Sequence, residues 1–405
     1  MYDIRKEFYK IKKIFLLFFT WRILLWIPVI VGYFYLPIRK GYDYILFSDY
    51  ILRASPFFHF TVNPFANFDG VHYLTIASQG YTVNAGFFPL FPILIRTITT
   101  VLIAIIPLQI DIVLFYVGLI LNAVLLLLGL YAFNKLLRLD YKENIASQSI
   151  FFLLAFPTSF FFAAVYSESL FFFLTILIFY FARKKNWIIV AVCGCLLSAT
   201  RPVGIAIIPA ILYELIRSEK VSASNVLGHF FKFRKLWFKT IAISITIFSG
   251  IGAYSIFNYV KWKDPIFFIH VQGAFLNHRS VSSFIFFPQT IVRYIKIFIT
   301  VSPTQYDWWI ALFELSIFLI ASFLLFYAWK KKVRSSYLIF SLLCLLIPVS
   351  TGTFSGVPRY TLVLFPIFIA LALSTNKMVK AIYSFVSILL LGILFMLFSR
   401  GYFVA

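Results

Sequence analysis

Long apolar runs alternate with short polar links along almost the whole chain. The first run covers residues 14–36, the last covers residues 381–398, and similar runs recur between them. A helix needs roughly 20 apolar residues to cross a bilayer. By that measure we count about eleven candidate spans, and no stretch is left for a soluble domain. The pattern predicts an all-α, multi-pass membrane protein in which residues 1–405 form one helical domain.

Composition supports this class, because 62% of the residues are hydrophobic, 21% are aromatic and the mean hydropathy is +0.94. The net charge of +22 does not indicate nucleic acid, since the basic residues mark the ends of spans instead of forming one surface. Such clusters are typical of cytoplasmic anchors that bind membrane lipids. They lie at residues 5–13, 183–185, 232–239, 330–334 and 377–380.

The basic clusters also predict the orientation of the chain. A basic N-terminus inside the cell places the first long polar interval, residues 37–88, on the extracytoplasmic side. The same count requires that residues 93–106 and 283–301 do not cross fully, so we expect re-entrant or interfacial helices there. Residues 187–217 are interrupted at Arg201 and Pro202, which predicts two short helices that meet at a break.

The chain contains only fourteen acidic residues. Several flank basic positions, and Glu214 is predicted to pair with Arg217 one turn later on a helix. An ionisable group in or beside a bilayer is costly, so the others are candidates for function, and most are predicted near the outer side. These candidates are Asp43, Asp49, Asp69, Asp111, Glu168, Asp264, Asp307 and Glu314.

Asp69 is the strongest candidate among them. It directly precedes a segment of helical character, residues 70–79, and aspartate is a common N-cap residue. A helix that begins there places His72 and Tyr73 one turn along, on the side of the carboxylate. The pattern by itself fits either a capped interfacial helix or a reactive carboxylate.

Several blocks in a fixed order extend from residue 67 to residue 366. They read FDGVHYLTIASQGY, FFPLFP, FPTSFFFAAVYSESLFF, LLSATRPVG and SGVPRYTLVLFP. Together they resemble the PIG-V-like family, which belongs to the GT-C membrane glycosyltransferases and whose eukaryotic members are GPI mannosyltransferases. Phe68 stands where the family often has tryptophan.

The resemblance implies an inverting transfer of a sugar, typically mannose, from a polyprenyl or dolichyl phosphate to a hydroxyl of a glycan, glycolipid or protein. It implies that Asp69 is the catalytic base on the extracytoplasmic side. The membrane would be the plasma membrane in a prokaryote and the endoplasmic reticulum in a eukaryote. A carboxylate in this position would accept the alcohol proton while fixed cations stabilise the departing phosphate.

Arginines are suited to hold that phosphate, because a guanidinium binds two oxygens at once. Arg359 and Arg201 are the candidates, and Tyr360 and His72 are further candidates for binding the donor. The alternatives are an interfacial anchor for Arg359 and a water-facing helix end for Arg201.

Glu168 opens an apolar segment after Ser167, where a cap and the helix dipole would explain it equally well. The family block makes Glu168 and Tyr73 candidates for a supporting or acceptor-binding role. A mixed polar and aromatic outer loop adds acceptor-binding candidates, namely Asp264, His270 and Gln272, together with His278 and Arg279.

The sequence contains no Asp-x-Asp motif, and its three cysteines lie in apolar runs. We therefore expect no metal and no cofactor apart from the lipid-linked sugar donor. A transporter or lipid flippase is the alternative from another class, but it should show related halves and charges at the membrane midplane. A noncatalytic relative that binds a lipid-linked sugar is the other alternative.

Overall fold

The computed structural model describes residues 2–42, 55–106, 108–219, 230–274, 279–281 and 283–405. Within these ranges the chain is helical and contains no strand, which confirms the all-α prediction for the described residues. Three residues named above, Asp43, Asp49 and His278, lie outside the described residues.

The helices follow one another with short links. Those of the first half are α1 (Tyr2–Leu24), α2 (Trp26–Tyr35), α3 (Pro56–Val62), α4 (Asp69–Gln79), α5 (Leu90–Ile105), α6 (Ile110–Leu137), α7 (Glu143–Leu154), α8 (Glu168–Arg183) and α9 (Trp187–Ser198). Those of the second half are α10 (Ile207–Ser218), α11 (Phe230–Trp262), α12 (Phe267–His270), α13 (Phe287–Thr300), α14 (Tyr306–Lys330), α15 (Ser335–Val349), α16 (Val357–Tyr360), α17 (Pro366–Leu373) and α18 (Lys377–Ser399). Short 3-10 turns occupy Asn63–Ala66, Ser159–Phe162, Pro202–Ala206, Val271–Ala274 and Thr361–Val363.

Five helical stretches among the described residues are long and apolar enough to cross a membrane. They are Ile11–Tyr35, Ile110–Leu137, Leu236–Trp262, Tyr306–Lys330 and Lys377–Ser399. Three shorter apolar helices, α5, α9 and α15, accompany them. Large apolar side chains such as Phe323 and Phe385 stay exposed on the long helices, as expected where lipid surrounds the protein. The chain is therefore an integral, multi-pass membrane protein.

The core is centred on α6 and α8, which pack along each other. Phe133 on α6 contacts Phe172 on α8 with ring centroids 5.7 Å apart. Phe365, which lies between α16 and α17, contacts Phe133 at 5.7 Å and Phe179 at 5.6 Å. These buried aromatic contacts place the chain around α16 against α8, although the two segments are far apart in sequence.

The predicted break within residues 187–217 is confirmed. Helix α9 ends at Ser198, a 3-10 turn begins at Pro202, and α10 begins at Ile207. Arg201 has an extended backbone at the break, with φ −156° and ψ 146°. Its side chain therefore leaves the helix axis and reaches the first residue of α8.

The two segments predicted not to cross the membrane form short helices. Helix α5 has 16 residues and α13 has 14, fewer than the roughly 20 that a span requires. Helix α13 contacts the loop before α16, because Thr290 donates to the carbonyl of Val349 at 3.2 Å and Arg293 donates to that of Gly352 at 3.3 Å. Helix α13 therefore stabilises this loop. The placement of α13 in the membrane plane stays a prediction.

Charged residues also pair at the opposite end of α8. Arg183, in its last turn, forms two hydrogen bonds of 2.5 and 2.8 Å to Asp140.

Glu214 binds Arg334, with 2.6 Å between Oε2 and Nη2, and accepts a 2.5 Å hydrogen bond from Ser336. The predicted pair of Glu214 with Arg217 is wrong, because the start of α15 supplies these tertiary partners.

Candidate active site

Asp69 is the first residue of α4, and its carboxylate is not a helix cap. Phe68 occupies the N-cap position with φ +57° and ψ −113°, and it makes no side-chain cap hydrogen bond. The predicted N-cap role of Asp69 is therefore wrong, because the unusual backbone of Phe68 starts the helix one residue early. The Asp69 amide donates to the Tyr166 hydroxyl at 3.2 Å, so the carboxylate remains for another partner.

That partner is Arg359, which lies 290 residues further along the chain. Arg359 Nη1 donates to Asp69 Oδ2 at 2.5 Å, and Arg359 Nε lies 3.0 Å from Glu168 Oε1. The same Glu168 oxygen accepts a hydrogen bond from Arg201 Nη1 at 2.8 Å. Two carboxylates and two guanidiniums thus alternate in a row, and each neighbour stabilises the charge of the next.

The side chains of Asp69 and Glu168 differ in their exposure. The Glu168 side chain is 2% exposed, those of Arg201 and Arg359 are 11% and 13% exposed, and that of Asp69 is 23% exposed. Glu168 Oε2 is buried and has no hydrogen-bond partner among the described residues. Glu168 is therefore the inner, fixed member of the row, and Asp69 is the member that a ligand can reach.

A tight loop before α16 sets the position of Arg359. Gly356 has φ +84°, and a Cβ there would lie 3.1 Å from the ring of Tyr360, so the turn requires glycine. The amide of Phe354 donates to the Tyr294 hydroxyl at 3.0 Å, and this hydroxyl donates to Glu314 Oε2 at 2.5 Å. Buried hydrogen bonds from α13 and α14 therefore hold the loop that carries Arg359.

Tyr360 lies among three guanidiniums. Arg201 Cζ lies 4.6 Å from the centroid of its ring, Arg359 Cζ lies 5.5 Å from it, and Arg279 Nη2 donates to its hydroxyl at 3.0 Å. Burial would raise the pKa of Tyr360, but the positive charges outweigh burial and lower the pKa to about 7. The pocket around Tyr360 is therefore strongly electropositive.

Arg279 joins the cluster from the loop that precedes α13. Its Nη1 donates to Gln272 Oε1 at 2.7 Å, and its Nη2 also lies 3.4 Å from the carbonyl oxygen of Ser355. Gln272 thus reaches the site through Arg279. The sequence names Arg279 only as one residue of a polar loop, because no spacing links that loop to Tyr360.

His72 and Tyr73 extend from the next turn of α4. The His72 ring stacks on Phe87, with centroids 4.5 Å apart and an interplanar angle of 20°. Burial lowers the pKa of His72, and the charge of Asp69 opposes this effect. The Tyr73 hydroxyl lies 2.9 Å from Ser167 Oγ, and Ser167 does not cap α8 with its side chain. Tyr73 therefore supports the start of α8 through Ser167, and it lies close enough to Asp69 for the two to interact electrostatically.

Asp264 and His270 form a separate pair after the end of α11. Asp264 Oδ2 lies 2.6 Å from His270 Nδ1, and Asp264 Oδ1 accepts the amide of Ile266 at 3.0 Å. The hydrogen bond to His270 lowers the pKa of Asp264. Within the described residues neither side chain contacts the row of Asp69 and Glu168, so the structure does not bring these two predicted residues into the cluster.

The cluster combines an accessible carboxylate with an excess of positive charge. Three guanidiniums (Arg201, Arg279 and Arg359) face two carboxylates (Asp69 and Glu168), which leaves one net positive charge when Tyr360 is neutral. No three His, Cys, Asp or Glu side chains converge as a metal site among the described residues. The arrangement can accept a proton at one end and bind an anion at the other.

Comparison with known proteins agrees with this chemistry. A family model described as Mannosyltransferase (PIG-V) matches residues 53–265, just over half of the chain. The match includes Asp69, Glu168 and Arg201, whereas Arg279, Arg359 and Tyr360 lie beyond it. No curated protein matches the chain. The chain belongs to the mannosyltransferase (PIG-V) family, and it is an enzyme of the class that transfers mannose from a lipid-linked donor.

Proposed function

We propose that this enzyme moves mannose from a polyprenyl or dolichyl phosphate to a hydroxyl of an acceptor, with Asp69 as the catalytic base. The observation that supports this most is the row that begins at Asp69. Its accessible carboxylate lies within 2.5 Å of an arginine that belongs to a pocket of net positive charge. A base and a binding site for a leaving anion are thus adjacent, as the reaction requires.

The proposed reaction is a single displacement with inversion at the anomeric carbon. The acceptor oxygen forms the new bond to the anomeric carbon, its proton passes to Asp69, and the bond from that carbon to the phosphate oxygen breaks. The electrons of this bond leave with the polyprenyl phosphate. An alcohol is a poor nucleophile at neutral pH, so removal of its proton as the bond forms lowers the barrier.

The donor phosphate is proposed to bind among Arg359, Arg201, Tyr360 and Arg279. A sugar phosphodiester carries one negative charge, which balances the single excess positive charge of the cluster. A nucleotide diphosphate sugar brings more negative charge than this pocket would balance. The charge of the pocket therefore favours a lipid-linked monophosphate donor.

The remaining predicted residues are proposed to act around this centre. His72 lies on α4 next to Asp69 and is proposed to contact the donor, while Glu168 and Tyr73 hold the arginines and the start of α8 in place. The outer loop with Asp264, His270 and Gln272 is proposed to bind the hydroxyl-rich acceptor.

The proposed architecture is a GT-C domain that covers residues 1–405. We propose about eleven spans in addition to re-entrant or interfacial helices in outer loops, and the five helices that are long and apolar enough to cross a membrane support five of these spans. Residues 37–88 and the site lie on the extracytoplasmic side in this proposal, in the plasma membrane of a prokaryote or the endoplasmic reticulum of a eukaryote.

The test is transfer by purified protein that is supplied with polyprenyl-phosphate mannose and a panel of hydroxyl acceptors, with released polyprenyl phosphate as the readout. We expect Asp69→Asn to lower turnover by about a hundredfold or more, because the amide cannot accept the proton. Asp140→Asn is the matched control, since Asp140 pairs with Arg183 at the other end of α8. Transfer by Asp69→Asn at the rate of the unaltered protein would remove Asp69 from the base role.

A further inference from the structure

The proposed base and the proposed phosphate ligand are bound to each other in this structure. Arg359 Nη1 donates to Asp69 Oδ2 at 2.5 Å. Asp69 Oδ2 and Arg359 Nη1 are therefore occupied by each other, while Asp69 Oδ1 and the other N–H groups of the guanidinium are not part of this contact. A phosphate oxygen that takes the place of Asp69 on Nη1 must displace Oδ2, and this oxygen can then accept the proton of an alcohol.

The other side of Arg359 is fixed. Its Nε lies 3.0 Å from Glu168 Oε1, and its Cζ lies 5.5 Å from the ring of Tyr166 and 5.7 Å from that of Phe161. Glu168 is almost fully buried, whereas Asp69 is the most exposed member of the row. A ligand from outside can thus reach the contact of Arg359 with Asp69 but not its contact with Glu168.

We propose that the donor phosphate takes the place of Asp69 Oδ2 on Arg359 Nη1, so that this carboxylate oxygen becomes available as the proton acceptor once the donor has bound. This inference rests on the proposed function. Glu168 keeps the guanidinium in position during the exchange, and Arg279 and Tyr360 contact other oxygens of the phosphate. Donor binding thus precedes the use of Asp69 Oδ2 as the proton acceptor.

The exchange is physically balanced, because one anion replaces another on the same cation. The phosphate gains a charge-assisted hydrogen bond of the kind that Asp69 gives up. Asp69 lies at the open end of the row, so water or the acceptor hydroxyl can hydrogen-bond to it after release. No buried charge is left without a partner, which would otherwise make the exchange costly.

This competition predicts that removal of the catalytic carboxylate strengthens donor binding. In Asp69→Asn the competing anion is absent, and Arg359 is available to the phosphate from the start. We expect polyprenyl-phosphate mannose in detergent micelles to bind this variant about five- to tenfold more tightly than the unaltered protein, as expected for loss of a partly exposed competing ion pair. Transfer should nevertheless be lost. An affinity that is unchanged or lower would overturn the exchange.

Tighter binding could also come from the general loss of a negative charge near the phosphate. A double-mutant cycle separates the two causes. If Arg359 exchanges its partner, Asp69→Asn tightens binding in the native background and has no effect in the Arg359→Gln background. General repulsion predicts the same gain in both backgrounds, and that result would overturn the proposal.

The thermal unfolding midpoint of each variant shows whether it is folded. If Arg359→Gln does not fold, Arg359→Lys provides a second background, because an ammonium cannot contact Asp69 and Glu168 in the fork that Arg359 uses. The gain from Asp69→Asn must shrink there too, and an undiminished gain overturns the exchange. Failure of the proposed function is a different result, namely that the unaltered protein binds the donor but releases no polyprenyl phosphate.

Discussion

Arg279 donates a hydrogen bond from Nη2 to the hydroxyl of Tyr360 at 3.0 Å. This contact connects the loop before α13 to the short helix α16, which also carries Arg359. It adds a third guanidinium beside a tyrosine that already lies near Arg201 and Arg359. The protonation state of Tyr360 therefore decides how much positive charge the pocket offers to a phosphate.

Donor binding should weaken as the pH rises through about 7. Burial raises the pKa of Tyr360, but the three guanidiniums lower it to about 7. Below this pH the phenol is neutral and the pocket keeps its excess positive charge. Above it the phenolate cancels that charge, so a bound phosphate must be accompanied by uptake of a proton. We expect the Kd of polyprenyl-phosphate mannose to rise by up to about tenfold per pH unit above pH 7.

The matched variants for this measurement are Tyr360→Phe and Tyr306→Phe. Tyr306 donates to the carbonyl of Phe403 at 2.7 Å and, in the part of the chain that the structure describes, contacts none of Arg201, Arg279 and Arg359, so its loss should leave the pH dependence in place. Tyr360→Phe should give a flat profile between pH 6 and pH 8, a range of about one unit on either side of the pKa. A slope that persists in Tyr360→Phe would assign the titration to another group.

Much of the fold follows from local pattern. Apolar runs of sufficient length predicted the helices, and the polar break at Arg201 and Pro202 predicted the gap between α9 and α10, because a charged residue followed by proline cannot continue a membrane helix. The partner of Glu214 was not predictable in this way. Its nearest cation along the helix is Arg217, but a tertiary contact to Arg334 prevails.

The candidate site follows from sequence only in part. Asp69 and Glu168 stood out because acidic residues are few in this chain, and Arg201 and Arg359 because of their places at a break in an apolar run and at the start of one. The structure brings all four together. Their order in the row depends on side chains up to 290 residues apart, and no spacing encodes it. The helical spacing put Tyr73 on the side of Asp69, and the charge of Asp69 does act on the Tyr73 hydroxyl, but no spacing predicted its hydrogen-bond partner, Ser167.

Glu168→Gln should destabilise the protein strongly. Glu168 is buried and faces both Arg201 and Arg359, so the neutral amide would leave two buried guanidiniums with less compensation. Breaking a buried ion pair in this way typically costs about 3–5 kcal/mol. We expect a large fall in the unfolding midpoint of the purified protein in detergent.

The control for this variant is Glu143→Gln. Glu143 pairs with Arg138 at 3.3 Å, and its side chain is 39% exposed. Exposed pairs contribute about 0–1 kcal/mol, so the midpoint should change little. If the two variants lose equal stability, Glu168 is not the fixed centre of the row.

Phe68 carries backbone strain directly before Asp69. Its φ of +57° and ψ of −113° lie where side chains with a Cβ are rare, and its ring contacts Phe398 at 5.2 Å and Phe403 at 5.8 Å. Phe68→Gly and Phe68→Ala both lose these ring contacts, but only glycine relieves the strain. We expect the free energy of unfolding of the glycine variant to exceed that of the alanine variant by about 1 kcal/mol. Equal stability would show that this backbone conformation carries no strain.

Gly250 determines how closely α11 approaches α9. A Cβ there would collide with the carbonyl oxygen of Cys195 and with Ser198 Oγ, and Ser198 itself donates to the carbonyl of Ile247 at 2.6 Å. Small residues at such a contact let membrane helices pack backbone against backbone. Gly250→Ala must therefore push α9 away, and we expect it to lose about 1–3 kcal/mol of stability.

The same displacement should reach the active site, because α9 ends three residues before Arg201. Gly250→Ala is therefore expected to raise the KM for the donor as well as to lower the unfolding midpoint. Gly252→Ala is the matched control on the same helix, since a Cβ at that position would meet no atom within 4 Å from the other described parts of the protein, apart from its own helix backbone and chain neighbours. It should keep or slightly raise stability, because alanine favours a helix by about 1 kcal/mol relative to glycine. Gly250→Ala and Gly252→Ala could instead give the same KM for the donor and the same unfolding midpoint. In that case α9 and α11 are not in backbone contact at Gly250, and the position of Arg201 does not depend on this contact.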